Sequence, residues 1–330
     1  MTGADAAIAD ALRACLVPLF GTDAVIERLA LLAGGASKEA WAADVRAADV
    51  RHELLVRRAG GGVIHSHTLS LEHEYRLVSV AYAAGVRVPR PLAYLEDLAG
   101  RPAFVAERVA GETIGRRIVQ RPELAAARAA MPAQLAEELA KIHAIPLDAV
   151  AFLGRAAAGD VVDRVERELD AADEPHPAIE LGIAWARAHP PKARPAVLNH
   201  GDFRVGNFVV GERGLDYVLD WEFGHVGDPL EDVGWPLVRS WRFGADDLRL
   251  GGVGRVEPYL ERYNALTGRN VSIAELDYWE VVGNLKWAVG SVTQSRRHLS
   301  GQERSVELAV LGRLTAEVEY ELLDLLERAG

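Results

Sequence analysis

The stretch His200-Gly201-Asp202-Phe203-Arg204-Val205-Gly206-Asn207, with Asp220 thirteen residues after its end, decides how this chain is interpreted. It offers a carboxylate, an amide five residues further on, and a second carboxylate. Catalysis of phosphoryl transfer is mainly positioning and electrostatic stabilisation, because charge spreads over the transferring group. Asp202 is predicted to accept the proton of an acceptor hydroxyl. Asn207 and Asp220 are predicted to hold Mg²⁺, which prefers hard oxygen ligands.

The residues around this motif predict a β-hairpin. Apolar runs at 208–210 and 215–219 flank a glycine-containing loop at 211–214, which is the expected pattern for two paired strands. The hairpin would carry Asn207 at its beginning and Asp220 at its end, so backbone pairing would bring the two side chains together. A single Asp or Asn in a loop is more often a turn former, but here residue type, order and spacing all fit one site.

The pattern resembles the aminoglycoside phosphotransferase superfamily, the small-molecule branch of the protein-kinase-like fold. The hallmark of that superfamily is His-Gly-Asp, an Asn five residues after the Asp, and an Asp on the next strand. The run LDWEFGHVGDPLEDVGW at 219–235 is similar to the phosphotransferase domains related to kinases fused to acyl-CoA dehydrogenases. The segment 279–319, which contains LKW and RHLSG, is similar to the same subgroup.

The order of predicted elements divides the chain into two parts. Residues 1–20 predict a helix, and strands are predicted between 28 and 107 around a helix at 72–84. After Gly111 the composition shifts to Ala, Leu, Glu and Arg. We therefore expect an α+β, two-lobed protein-kinase-like fold, with a β-rich nucleotide-binding lobe at 1–108 and a helical catalytic and substrate lobe at 109–330. Helices are predicted in the second lobe at 123–143, 160–172, 177–188, 246–266, 272–298 and 303–328.

Two segments of the first lobe are candidates for binding the nucleotide because of their position. Gly34, Gly35 and Ser37 belong to the loop where a kinase-like fold covers the phosphates, and glycine lets successive amides point at an anion. Such a pair of glycines is otherwise an ordinary turn. The segment around Glu107 and Val109 resembles the hinge between kinase lobes, which implies that the Glu107 carbonyl and the Val109 amide bond the adenine.

The third strand carries an arginine where most kinases use lysine to hold the α- and β-phosphates. Arg57 is preferred over Arg58, because it shares a strand face with Leu55. Arginine can bind phosphate through two N–H groups, but it is not equivalent to an ammonium. Glu74 on the next helix is the candidate ion-pair partner, and Glu72 is the alternative.

Two further charged residues lie close to the motif. Arg204 follows Asp202 by two residues, where protein kinases commonly place a lysine beside the γ-phosphate, which implies that it neutralises charge during transfer. Glu222 follows Asp220 by two residues and returns to the same strand face. It is a candidate for an additional metal ligand or a substrate contact.

Three residues are predicted to support the site without taking part in the chemistry. His200 is expected to brace the catalytic loop through hydrogen bonds. Asp228 precedes a proline and is a good candidate for a helix N-cap. Asp232 is expected to brace the loop as carboxylates commonly do around metal sites.

Composition excludes several classes of function. The chain has 330 residues and a net charge of −11, which argues against nucleic-acid binding, since such proteins show a basic patch or stripe. An acidic surface suits cationic substrates, although solubility explains it equally well. Cys15 is the single cysteine, so no disulfide framework is predicted. No apolar run would span a bilayer and no basic leader precedes the first one, so a cytoplasmic location is expected.

Together these features predict an ATP- and Mg²⁺-dependent phosphotransferase that moves the γ-phosphoryl group to a hydroxyl of a small molecule. The subgroup resemblance favours a hydroxylated or CoA-linked metabolite as the acceptor. An aminoglycoside or other antibiotic is the first alternative. A catalytically inactive nucleotide-binding regulator is the second, because the lysine of the third strand is replaced and the loop at 34–37 is poor in glycine.

Overall fold

The N-terminal part of the protein is a small antiparallel sheet with two helices. The computed structural model describes residues 3–32, 38–60 and 68–329, so the predicted loop with Gly34, Gly35 and Ser37 lies outside the described residues. The elements are α1 (Gly3–Phe20), β1 (Val25–Leu31), β2 (Lys38–Ala47), β3 (Val50–Ala59), α2 (Leu71–Ala83), β4 (Pro91–Leu95) and β5 (Ala103–Glu107). The five strands follow the order β1-β2-β3-β5-β4.

Helix α1 closes one face of this sheet. Leu12 and Leu16 on the helix are fully buried, and they belong to the same apolar cluster as Trp41 on β2 and Val56 on β3. Helix α2 packs instead against the C-terminal part, since its buried residue Leu77 belongs to the large core of that part. The helix that carries Glu74 is therefore fixed by the core beneath it as well as by the sheet.

The C-terminal part is mainly helical and contains two short hairpin-like sheets. Strand β6 pairs with β9, and β7 pairs with β8, both antiparallel. The elements are α3 (Gly115–Gln120), α4 (Ala125–His143), α5 (Ala158–Ala172), α6 (Pro177–Ala188), β6 (Val197–Asn199), β7 (Phe208–Gly211), β8 (Gly214–Val218), β9 (His225–Gly227), α7 (Pro229–Gly234), α8 (Val256–Thr267), α9 (Ile273–Leu299) and α10 (Val306–Ala329).

The predicted hairpin is present and places the ends of its strands side by side. Phe208 on β7 lies opposite Val218 on β8. Immediately beyond that pair, the Leu219 amide donates to the Asn207 carbonyl at 2.8 Å. Backbone pairing therefore brings Asn207 next to the residue that precedes Asp220.

This arrangement confirms the predicted α+β, two-lobed kinase-like fold. The helix predicted at 246–266 is wrong in its first half, because α8 begins only at Val256. The segment before it contains Gly251 and Gly252 with φ of +55° and +72°, and a right-handed helix does not accommodate such angles. In the described parts of the chain, no helix is both long and apolar enough to cross a membrane.

The turn that follows β6 depends on glycine. Gly201 has a φ of +83°, and a Cβ at this position would lie 2.3 Å from the carbonyl oxygen of Phe223. The loop at residues 200–207, called the catalytic loop after its predicted role, therefore passes in direct backbone contact with the segment that leads into β9. Only a residue without a side chain permits both the angle and the close approach.

The packing of α1 predicts a difference between two leucines of that helix. Leu12→Ala should lower the free energy of unfolding by about 2–5 kcal/mol, because truncation of a fully buried leucine leaves a cavity. The matched control is Leu19→Ala, whose side chain is 36% exposed and whose truncation should cost about 0.5 kcal/mol or less. Chemical denaturation followed by circular dichroism measures both. Equal small losses would show that α1 is not part of the core.

The close approach at Gly201 predicts a second difference. Gly201→Ala and Gly85→Ala both place a Cβ at positive φ, +83° and +76°, which costs about 1–2 kcal/mol at each. Among the described residues nothing lies within 4 Å of a Cβ at position 85. The difference between the two losses in unfolding free energy therefore measures the clash with Phe223. Gly201→Ala should lose more stability than Gly85→Ala. Identical losses would contradict the geometry of the loop.

Candidate active site

Asp202 lies at the centre of the loop after β6 and is 7% exposed. Its Oδ2 accepts a hydrogen bond from Asn207 Nδ2 at 2.6 Å. Its Oδ1 accepts from Arg204 Nε at 2.9 Å and from the indole Nε1 of Trp235 at 2.7 Å. Three donors therefore hold one carboxylate, and two of them, Arg204 and Asn207, were predicted to belong to the site.

The backbone of this loop is held by the carboxylate of Asp232. Its oxygens accept the amides of His200 at 2.6 Å and Gly201 at 2.9 Å. Burial alone would raise the pKa of Asp232, but the neighbouring His143 side chain and the hydrogen bond from the Gly201 amide hold that pKa below its ordinary value. Asp232 comes from α7, whose first turn is capped by Asp228, which accepts the Leu230 amide at 2.8 Å.

His200 joins the catalytic loop to the end of the hairpin. Its Nδ1 accepts the Asp202 amide at 3.2 Å. Its Nε2 therefore carries the hydrogen and donates to the Leu219 carbonyl at 2.9 Å. The ring is fully buried, and burial lowers the pKa of His200. The histidine is a neutral brace with both nitrogens engaged.

A cluster of five charged residues, called here the charge cluster, lies between the N-terminal sheet and the end of the hairpin. Arg57 Nη1 lies 2.8 Å from Glu74 Oε1, and Arg57 Nη2 lies 3.2 Å from Asp220 Oδ1. Lys38 Nζ lies 2.5 Å from Glu74 Oε2 and 2.7 Å from Glu222 Oε2. Glu74 thus holds both cations, and each cation reaches one carboxylate of the segment after β8.

Arg58 and Glu72, the alternatives to Arg57 and Glu74, lie outside the charge cluster. Arg58 donates to the carbonyls of Leu98 at 2.8 Å and Ala99 at 2.7 Å, and it pairs with Glu39. Glu72 is exposed on the first turn of α2. The structure therefore places Arg57 and Glu74, and neither Arg58 nor Glu72, in the charge cluster.

The carboxylates after β8 differ in their electrostatics. Burial would raise the pKa of Asp220, but the Arg57 guanidinium and the Lys38 ammonium hold that pKa below its ordinary value. Burial and the neighbouring Asp220 carboxylate raise the pKa of Glu222, although Lys38 opposes this. Asp220 also has a φ of +63°, a left-handed conformation that aspartate tolerates better than most residues. Such local strain is common at functional sites.

The side-chain oxygens of Asn207 and Asp220 fit a magnesium ion as ligands. The Asn207 Nδ2 donates to the carbonyl and to Oδ2 of Asp202, which leaves the amide oxygen of Asn207 for another ligand. Asp220 uses Oδ1 for Arg57, and no described residue bonds its Oδ2. An amide and a carboxylate oxygen are hard ligands suited to Mg²⁺. The described residues contain no group of three or more His, Cys, Asp or Glu that forms a metal cage of its own.

Backbone hydrogen bonds join the segment around Glu107 to the N-terminal part of the protein. The Glu107 amide donates to the Arg90 carbonyl, and the Arg108 amide donates to the Glu53 carbonyl, each at 2.9 Å. Glu107 and Val109 line an open groove of about 1340 Å³. In the described part of the chain, no hydrogen bond or ion pair joins their side chains to Asp202 or to the charge cluster.

Two residues of this site were missed from the sequence. Lys38, directly after the loop with Gly34, Gly35 and Ser37, was given no role. The register pairs Ala40 with Arg57 and Lys38 with Ala59, so Lys38 is a diagonal neighbour of Arg57 on one face. Trp235 was given no role. It follows Asp232 by three residues, and residues three apart share a helical face.

The fold is similar to that of solved phosphotransferases. A putative aminoglycoside phosphotransferase from Ralstonia eutropha JMP134 superposes with a TM-score of 0.75 at 19% identity, over 97% of this chain and 98% of the other. A spectinomycin phosphotransferase in complex with ADP and spectinomycin gives a TM-score of 0.63 at 13% identity, over 94% and 97% of the two chains. At these identities the similarity shows a shared fold.

Longer proteins also match in sequence. Acyl-CoA dehydrogenase family member 10 of Mus musculus is 27% identical over 313 residues, which cover 87% of this chain and 28% of that protein. Acyl-CoA dehydrogenase family member 11 of Homo sapiens is 23% identical over 269 residues, which cover 76% and 34%. The chain therefore spans about a third of the length of these curated relatives.

The model of the phosphotransferase enzyme family matches residues 28–266. This range contains the whole charge cluster and the catalytic loop. It confirms the resemblance predicted from the His-Gly-Asp motif and covers most of the chain. The chain belongs to the phosphotransferase enzyme family (APH).

Proposed function

We propose that this protein is an ATP- and Mg²⁺-dependent kinase of a small molecule that carries a hydroxyl group. The observation that carries the proposal is the joint placement of Asp202, Asn207 and Asp220. Asp202 and Asn207 are hydrogen-bonded at 2.6 Å, and the hairpin register brings Asn207 next to the residue before Asp220. We infer that this proton acceptor and these two oxygen ligands serve one site.

Asp202 is the group that receives the proton in this proposal. The acceptor oxygen forms a bond to the γ-phosphorus, the bond between that phosphorus and the β,γ-bridging oxygen breaks, and ADP leaves with that bond pair. The hydroxyl proton moves to a carboxylate oxygen of Asp202. Arg204, whose Nε lies 2.9 Å from the same carboxylate, adds positive charge beside the transferring group.

The charge cluster and Asn207 supply the remaining electrostatics. Asn207 and Asp220 would hold Mg²⁺, which when bound neutralises phosphate oxygens. Arg57 and Lys38 present their cations from the face of the sheet and replace the single lysine of most kinases. The segment 107–109 would bond the adenine through its backbone. The boundary between a nucleotide-binding lobe at 1–108 and a catalytic lobe at 109–330 is part of the same proposal.

Comparison structures support a nucleotide as the donor. Members of the same fold were solved with GDP and kanamycin, with ADP and spectinomycin, and with AMP-PNP and hygromycin B. Their similarity covers 93–94% of this chain. We infer that the nucleotide occupies the equivalent space beside Arg57 and Asp220 in this protein.

For the acceptor we favour a hydroxylated metabolite, including one linked to coenzyme A. Curated relatives that cover 81–87% of this chain are acyl-CoA dehydrogenase family members, which favours metabolic chemistry over antibiotic modification. A cavity of about 360 Å³ begins at Trp241, whose ring lies 4.2 Å from the Arg204 guanidinium carbon. We propose that the acceptor enters beside this pair of residues.

An antibiotic acceptor is the second candidate, and one observation favours it. The wall of the 360 Å³ cavity has more acidic than basic side chains, which suits a polycation. The charged residues that line it are Arg239, Asp246, Glu317 and Glu321.

A transfer assay tests the proposed function. ATP with Mg²⁺ is supplied with hydroxyacyl-CoAs, sugars, amino alcohols, aminoglycosides and macrolides, and phosphorylated products are detected by mass spectrometry. We expect a product from one class, lost in Asp202→Ala while nucleotide binding persists, because Asp202 touches the acceptor. Asp220→Ala should instead weaken binding of Mg²⁺-ATP itself. Glu212→Ala, in the exposed turn of the same hairpin and outside the charge cluster, is the matched control and should behave as the wild type.

Two results would contradict this assignment. Normal turnover by Asp202→Ala would show that another group receives the proton. Binding of Mg²⁺-ATP without any transfer or hydrolysis, in the wild type, would favour the nucleotide-binding regulator over the kinase.

Lys38 generates a separate prediction for nucleotide affinity. Lys38→Met should raise the Kd of Mg²⁺-ATP about tenfold or more, since a charged hydrogen bond to phosphate contributes about 1.5–3 kcal/mol. Lys192→Met is the control, because Lys192 is exposed and lies outside the charge cluster. Isothermal titration calorimetry measures both. An unchanged Kd for Lys38→Met would show that Lys38 serves only as a counter-ion of Glu74 and Glu222.

A further inference from the structure

Helix α7 and the short 3₁₀ turn after it reach the catalytic loop twice. Asp232 accepts the amides of His200 and Gly201. Three residues later, Trp235 begins the 3₁₀ turn Trp235–Leu237, and its Nε1 donates to Asp202 Oδ1 at 2.7 Å. Trp235 is only 7% exposed. One helical face therefore holds the backbone of the loop and also the side chain at its centre.

The hydrogen bonds of Asp202 leave one place for a substrate hydroxyl. An ionised carboxylate has about four acceptor sites, two on each oxygen. Both sites of Oδ1 are used, by Trp235 Nε1 at 2.7 Å and Arg204 Nε at 2.9 Å. Oδ2 accepts from Asn207 at 2.6 Å and has one site free among the described residues. The incoming hydroxyl then has a single direction of approach.

We propose that Trp235 is a positioning residue, which fills Oδ1 of Asp202 so that Oδ2 alone accepts the proton of the substrate. The inference rests on the proposed function, because it needs Asp202 to be the proton acceptor. Without the indole N–H, Oδ1 gains a free site and the carboxylate loses one of its three anchors. The hydroxyl then divides between two orientations, only one of which faces the transferring phosphoryl group. Misplacement of this kind slows the chemical step more than it weakens binding.

The surroundings of Trp235 keep its ring in place. Lys286 Nζ lies 4.6 Å from the ring centroid and pairs with Glu231 at 2.8 Å. The ring of Trp241 lies 5.4 Å from that of Trp235, and the Arg204 guanidinium carbon lies 4.2 Å from the Trp241 centroid. Both donors to Oδ1 therefore belong to one continuous stack, in which aromatic faces carry cations. A buried ring with these two neighbours has little freedom to withdraw its N–H.

Two phenylalanine variants test the inference. Trp235→Phe removes the N–H and keeps an aromatic ring. Trp279→Phe is the matched control, because Trp279 is another buried indole and its Nε1 has no hydrogen-bond partner among the described residues. Loss of one hydrogen bond to a charged group should lower kcat of Trp235→Phe about tenfold to a hundredfold. The Kd of Mg²⁺-ATP should stay at the wild-type value, and Trp279→Phe should keep most of its kcat.

The assay uses the acceptor found in the transfer panel, or water through ATP hydrolysis if no other acceptor reacts. A further variant carries 3-benzothienyl-alanine at position 235, in which sulfur replaces the N–H within the same shape. If Trp235→Phe does not fold, this variant still distinguishes the loss of the hydrogen bond from a loss of packing. A fall in kcat for this variant, with nucleotide affinity unchanged, supports the inference.

Failure of this inference can be distinguished from failure of the proposed function. Wild-type kcat in the benzothienyl variant, or an equal loss in Trp279→Phe, overturns the role of Trp235 while Asp202→Ala remains inactive. Absence of Asp202-dependent ATP consumption in the wild type overturns the proposed function, and this inference with it. In ¹⁵N-indole spectra, the Trp235 N–H resonance should move more in Asp202→Ala than the other indole resonances. No such movement would also overturn the contact on which the inference depends.

Discussion

The site depends on a single buried carboxylate that accepts two backbone amides. Asp232 binds the N–H groups of His200 and Gly201, and without it both donors would be buried and unsatisfied at about 1–3 kcal/mol each. The loop passes too close to Phe223 for any side chain at position 201, so it has no alternative path. Helix α7, capped by Asp228, is therefore as much a part of the site as the loop that it holds.

Charges in this protein are buried in linked groups. Glu74 is 1% exposed and holds Lys38 and Arg57, which reach Glu222 and Asp220. Loss of one member leaves a partner uncompensated, which costs several kcal/mol in a buried pair. The charge cluster therefore ties β2, β3, α2 and the segment after β8 into one unit. The relative position of its cations and Asp220 follows from this linkage.

The sequence was sufficient where the determining contacts are local. The hairpin and the grouping of Asp202 with Asn207 follow from spacing within about twenty residues. The fold class follows from the order of the predicted elements and from the family resemblance, and hydrophobic periodicity predicted most helices. Lys38 and Trp235 required the register of two strands and the direction of a helical face, which are set by distant packing. The helix expected at 246–266 failed because its composition favours a helix, while Gly251 and Gly252 adopt left-handed angles.

The ion pair between Lys38 and Glu222 has a consequence for how a ligand enters. Lys38 opens strand β2 of the sheet, and Glu222 belongs to the segment that joins β8 to β9. On the function proposed above, a phosphate that binds Lys38 must compete with the carboxylate of Glu222, which already pairs with the ammonium. Binding would then exchange one anion for another. The measured affinity would be lower than the strength of the new contact, because it also includes the loss of the ion pair with Glu222.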